Sequence, residues 1–148
     1  MPWIGASYLS FLAALNADIV QEMTAADHYL RLARFVEHLH KPSFCHQIAV
    51  CAATAMANAT ALAAEVMALG GTPPCSPLPK QIAMPAAISV DEHLIETRAE
   101  LAHYRGRLIF ARRLGLFRLQ EVLREIVRSK RRHLAHARII ASAAQRGK

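Results

Sequence analysis

Glu22, Asn58, Thr97, Lys130 and His133 are the side chains here whose types and places suggest a shared chemistry. Each falls near the middle of a helical stripe that is otherwise apolar. A buried carboxylate is destabilising unless it meets a metal, a cation or good donors. Glu22 and His133 are types that ligate transition metals. Lys130 is a cation that cannot ligate while it is charged. It would answer Glu22 as a buried ion pair, with Asn58, Thr97, Tyr29 or His133 in support. Buried polar groups find partners most easily in one another. Five of them in matching mid-helix places predict one polar site inside a helical bundle.

Four helices must position these residues. Helix A is expected over about 6–40, its stripe formed by Leu15, Ile19, Ala26, Tyr29 and Ala33, with Glu22 among them. Helix B is expected over about 42–69, with Pro42 in its first turn. It is rich in alanine, the best helix former. Its stripe runs Ile48, Cys51/Ala52, Ala55, Asn58/Ala59, Leu62, Val66, and Gly70-Gly71 ends it. Five prolines, Pro73, Pro74, Pro77, Pro79 and Pro85, then forbid a continuous helix over about 70–88. That segment is long for a simple turn and suits a crossover between two parallel helices. Helix C, about 89–114, opens on a capping box of Ser89 and Glu92. Its stripe is Leu94, Thr97, Leu101, Tyr104, Leu108, Ala111. Gly115 marks a corner, and helix D covers about 116–144 with the stripe Leu119, Val122, Ile126, Lys130, His133, Ala137, Ile140. The expected fold is all-α, a four-helix bundle joined short–long–short, in a single domain of 148 residues.

Composition narrows the function classes. The chain is 53% hydrophobic and 20% charged, so disorder is not expected. No wholly apolar run reaches the roughly 20 residues of a bilayer span, and no membrane partner is expected. The N-terminal residues have no Lys or Arg ahead of their apolar part, so no signal peptide is expected. Cys45, Cys51 and Cys75 form no CxxC pair, which fits free thiols in a cytoplasmic protein. The net charge of +7 is uneven: residues 1–90 hold four Lys/Arg against five Asp/Glu, residues 91–148 fourteen against six. Arg105, Arg107, Arg112, Arg113, Arg118, Arg124, Arg128, Arg131 and Arg132 make helices C and D basic. Such clusters are usually solvated faces, but they also bind anionic partners or nucleic acid without reading sequence. No aromatics are expected among them as single-strand binders use for base stacking. His133 with His136, and His38, His40 and His46 near the A–B corner, could hold an adventitious transition metal.

The sequence resembles a bacterioferritin, within the ferritin-like superfamily. Leu15-Asn16, Glu22, Tyr29 and Ala33-Arg34 are similar to the family's first helix, including its Glu-x6-Tyr spacing. Ala68-Leu69-Gly70-Gly71-Thr72-Pro73 resembles the exit from its second helix, and Ile126-Val127-Arg128 leading to His133 resembles its fourth. The resemblance implies a di-iron site with one Glu from each of helices A and C and a Glu-x-x-His pair from each of B and D. At those positions this chain has Glu22, Ala55 with Asn58, Thr97 (seven residues before Tyr104, as Glu22 precedes Tyr29), and Lys130 with His133. Only Glu22 and His133 keep the family's residue types. Met56 stands where the resemblance places the methionine that ligates haem across a dimer twofold. Bacterioferritins also carry a short fifth helix, whereas this sequence ends at Lys148. A dimer is therefore expected rather than a 24-chain cage.

These observations imply a ferritin-like protein that has lost ferroxidase activity and serves as a structural, interaction or regulatory member of the iron-homeostasis superfamily. A buried Glu22–Lys130 pair would replace the di-iron centre, with no resident iron or haem. Two alternatives stand beside it. One is an iron-binding or iron-oxidising protein with a non-standard site around Glu22 and His133. The other is a basic, nucleic-acid-associated protein resembling mini-ferritins.

Overall fold

The structure is a computed structural model. It describes the backbone of residues 2–37, 42–75 and 90–146, and the side chains of residues 7–34, 45–75 and 94–139. Four helices account for nearly all of it: α1 (Pro2–Glu37), α2 (Pro42–Ala68), α3 (Val90–Arg113) and α4 (Phe117–Arg146). The expected helices are all present. α1 starts four residues earlier than expected, with Pro2 at the helix's first position, where its fixed φ suits the first turn, and the helix runs through Gly5. The A–B corner, the capping box at Ser89 and most of the expected crossover fall outside the described residues.

The chain divides into two compact units, Met1–Gln81 and Ile82–Lys148. In the first, α1 packs along α2 as an antiparallel hairpin. Leu15, Ile19 and Leu62 are fully or almost fully buried, and the other end of the hairpin closes on Tyr29, Ala33, Ile48, Cys51 and Ala52. Tyr8 Oη donates to the Leu69 carbonyl at 2.6 Å, and Asn16 Nδ2 to the Thr72 carbonyl at 3.1 Å. These bonds tie the segment just after α2 to the first half of α1. Every residue expected in the α1 and α2 stripes is buried.

One expectation is corrected here. Residues Cys45–Ala68 of α2 form a 24-residue stretch long and apolar enough to cross a membrane by length and composition. The sequence estimate counted only unbroken apolar runs, whereas alanine and cysteine carry this helix past Asn58, Glu65 and its threonines. A core helix passes the same test, and Ile48, Cys51, Ala55, Ala59, Leu62 and Val66 are buried here within the protein.

In the second unit α3 packs along α4. Thr97, Leu101, Tyr104 and Ala111 are buried from α3, and Leu119, Leu123, Ile126, Val127, Lys130, Leu134 and Ala137 from α4. The α4 stripe is wider than expected and rotated slightly: Leu123 and Leu134 are buried, while Val122 and His133 are half-buried. On its outer side α4 carries a ladder of ion pairs. Arg124 binds Glu121, Arg128 Nη1 lies 3.2 Å from Glu125 Oε2, and Arg132 Nη2 lies 3.3 Å from Glu125 Oε1. Exposed pairs of this kind add little stability, but they perturb titration. Arg132, then Arg128, hold the Glu125 carboxyl below the usual carboxylate range.

Both hairpins use a left-handed glycine to stop a helix. Gly70 (φ 85°) and Gly115 (φ 70°) sit just past the ends of α2 and α3. Gly71 N donates to the Val66 carbonyl at 2.9 Å and Leu116 N to the Ala111 carbonyl at 3.1 Å, closing each end in a Schellman turn. Gly71 is also tightly placed: a Cβ there would lie 2.9 Å from Val66 Cγ1, on a side chain with no exposed surface.

Gly70→Ala should destabilise the protein by about 1 kcal/mol through its positive φ. Gly71→Ala should cost about 1–3 kcal/mol through overpacking against Val66, as read from denaturant midpoints. In an NMR titration Glu125 should lose its proton at a lower pH than free glutamate, and Arg132→Gln should move it upward. Because the folded value is depressed, the contribution of Glu125 is present above the ordinary carboxylate pKa and disappears as pH falls through the folded value.

Candidate functional site

Helix periodicity, operating within each hairpin, buries the polar residues singled out above. On α1, Glu22 lies three residues after Ile19 and four before Ala26, so it shares their inward face and is 3% exposed. On α2, Asn58 is buried beside Ala59. Its Nδ2 donates to Glu22 Oε2 at 3.5 Å, a long contact. Ala55, one turn earlier on the same face, is buried and offers only a methyl group. Tyr29 is buried in the apolar cluster at the far end of this hairpin, against Ala33 and Ile48.

In the second unit, Thr97 and Tyr104 are buried from α3 and Lys130 from α4. Lys130 Nζ lies 2.8 Å from Glu100 Oε2 and 5.7 Å from the centroid of the Tyr104 ring. The ammonium thus meets a carboxylate on one side and an aromatic face on another, and both favour the charged form. Glu100 is a residue that sequence reasoning missed. It stands three positions after Thr97, on the flank of the α3 stripe, where it looks like an ordinary surface glutamate. The available signal was its place one turn from the polar Thr97. His133, one turn after Lys130, is half-buried, and His136 and His46 are exposed; His38 and His40 lie outside the described residues.

Two further buried carboxylates were not anticipated. Asp18 is 4% exposed and Glu65 6%, and each is engaged by a partner, as are Glu22, Thr97 and His133. Asp18 precedes Glu22 by one turn, on the same side of α1. Ser129 Oγ is buried and makes no hydrogen bond among the described residues. Among those residues no three His, Cys, Asp or Glu side chains come together as a metal-holding group.

Met56 occupies a different environment. It lies on the outer surface of α2, 46% exposed. Around it runs a stripe of exposed residues at 3–4–3–4–3 spacing: Val50, Ala53, Ala57, Thr60, Ala64, Met67. The only charged residue from Pro42 to Ala68 is Glu65, which is buried on the opposite side. Thr54 and Thr60 turn their hydroxyls back to the carbonyls of Val50 and Met56, both at 2.9 Å. From Val50 to Met67 the face accordingly carries no charged residue.

The bend between α3 and α4 corrects another expectation. Phe117 is 77% exposed and stands between Arg113 and Arg118, so an aromatic residue does interleave with the arginines. Its place at the first position of α4, after the Gly115 turn, puts it outside the stripe that helix periodicity assigns to the core.

Comparison with known proteins fits this architecture. The bacterioferritin of Desulfovibrio desulfuricans, whose structure was determined with its diiron site in different catalytic states, superposes with a TM-score of 0.84 at 17% identity, over 94% of this chain and 82% of that one. The bacterioferritin of Rhodobacter capsulatus, described with a metal-free dinuclear site and a haem iron, gives a TM-score of 0.82 at 17% identity, over 93% and 87%. Among curated proteins no match is found. The fold is therefore a ferritin-like four-helix bundle. The family model for the ferritin-like domain matches residues 12–146, and on that match the chain belongs to the ferritin-like family.

Proposed function

We propose that this is a ferritin-like protein without ferroxidase activity, a cytoplasmic structural or regulatory member of the superfamily that acts as a homodimer. One observation carries it. Lys130, which stands where the family resemblance places a carboxylate ligand, is a buried ammonium held at 2.8 Å by Glu100. A cation committed in this way repels a metal ion and donates no lone pair to it. The rest of the donor set agrees. A methyl group at Ala55, a carboxamide at Asn58 and a hydroxyl at Thr97 replace groups that hard iron requires. The residues at these positions do not fit a di-iron centre, and no oxidation step is assigned to them.

The charge balance within the second unit belongs to the same proposal: Glu100 answers Lys130, a covalently attached cation in place of a metal's charge.

The dimer is supported by the outer face of α2. Its exposed 3–4 stripe of alanines, threonine and methionine has the spacing of a helix–helix seam, and small residues let two helices approach closely. An uncharged face is complementary to itself, as a twofold contact requires. Met56 is read as part of that seam rather than as a haem ligand.

Protein purified from cells grown with added iron should contain only trace iron and should oxidise Fe(II) no faster than buffer; two irons per chain would overturn the reading. Lys130→Ala should destabilise the protein by about 3–5 kcal/mol, and adding Glu100→Leu should recover part of that loss. Ala57→Glu should convert the dimer to monomer in size-exclusion chromatography with light scattering, whereas Glu121→Gln should leave it intact.

A further inference from the structure

The bend from the end of α3 to the start of α4 combines two features that neither the fold nor the polar residues above explain. The first is charge. Residues 101–120 contain Arg105, Arg107, Arg112, Arg113 and Arg118 and no Asp or Glu. Arg105, Arg112, Arg113 and Arg118 are exposed. The second is apolar exposure at the same end of the hairpin. Phe117 is 77% exposed, with Leu114 and Leu116 half-buried just before it, and Ile109, one turn before the end of α3, is 51% exposed. The Gly115 turn fixes this arrangement, since its two backbone hydrogen bonds lock the last residues of α3. Isolated exposed apolar residues need no explanation. Phe117 in a bend flanked by the exposed Arg112, Arg113 and Arg118, with Ile109 exposed one turn before the end of α3, does.

From this conjunction we propose that the α3–α4 bend docks on an anionic lipid surface. Phe117 and Ile109 would enter the headgroup region while Arg112, Arg113 and their neighbours meet lipid phosphates. Amphipathic surfaces of this composition bind interfaces in proportion to buried apolar area plus attraction to anionic lipid. The chemistry separates this occupant from others. A nucleic-acid duplex supplies phosphates but no apolar phase for Ile109 and Phe117. A single strand could stack on Phe117, but one aromatic makes a small platform. A second copy of the chain would bring like charges together at this corner. The absence of a membrane partner, expected when only spans were considered, does not extend to surface docking, which needs no span.

The test is sedimentation of the full-length protein with vesicles of phosphatidylcholine alone and of phosphatidylcholine with phosphatidylglycerol, at low and high salt. Binding is expected only to the anionic vesicles and should weaken with salt. Arg112→Gln with Arg113→Gln should lower the partition constant by about fivefold per arginine. Phe117→Ser should lower it by about tenfold, with circular dichroism and light scattering unchanged. Equal binding to neutral vesicles would overturn the proposal, as would undiminished binding by either variant. Tighter binding to a single-stranded oligonucleotide than to anionic vesicles would assign the bend to nucleic acid instead. Dissociation of the protein by Phe117→Ser would place the residue between copies of the chain and equally overturn it.

Discussion

An ammonium taken out of water is among the least tolerable objects in a protein interior, and Lys130 is 4% exposed. The surroundings of α3 and α4 are arranged around that constraint. Glu100 approaches to 2.8 Å and the Tyr104 ring presents its face at 5.7 Å. Leu101, Ile126 and Leu134 on the same two helices are themselves buried. The same requirement acts on α1 and α2, where Asp18, Glu22 and Glu65 are buried and each is engaged. Removing Glu100 would leave the Lys130 ammonium without the carboxylate that answers it. A metal ion would satisfy carboxylates in the same way, by supplying positive charge where water is excluded.

The shape of a helical bundle is set by its apolar stripes rather than by its polar positions. Helices placed by apolar stripes do not depend on what stands at one polar position within the stripe. Leu15, Ile19, Leu62 and Val66 on one hairpin, and Leu119, Leu123 and Ile126 on the other, supply the burial that holds each pair of helices. Superposition on two bacterioferritins at 17% identity illustrates how little of the sequence this architecture demands.

Much of the fold was legible because its signals are local and periodic. The stripes of α1 and α2, the prolines after Thr72 and the glycines at 70 and 115 each act within a few residues. The polar positions at Glu22, Asn58, Thr97 and Lys130 were visible as interruptions of those stripes. Glu100 was not, since a carboxylate on the flank of a stripe is ambiguous until the neighbouring helix is in place. Asp18 and Glu65 were missed for the same reason, standing one residue off the strongest apolar line. Phe117 was missed in the opposite direction: hydrophobicity suggests burial, but the turn at Gly115 resets the helical phase and points it outward.

The alanine content of α2 has a consequence beyond helix propensity. Ten of its 27 residues are alanine, and a methyl group has no rotamers to lose when it is covered. Both sides of α2 can thus be buried at almost no side-chain entropy. The same smoothness makes the helix poor at indexing position, because one row of methyls looks much like the next after a slide of a full heptad. Met56 and Met67, protruding from that row, are the irregularities that could fix the alignment of whatever lies against it. Their loss would blur the register of such a contact before it weakened the contact.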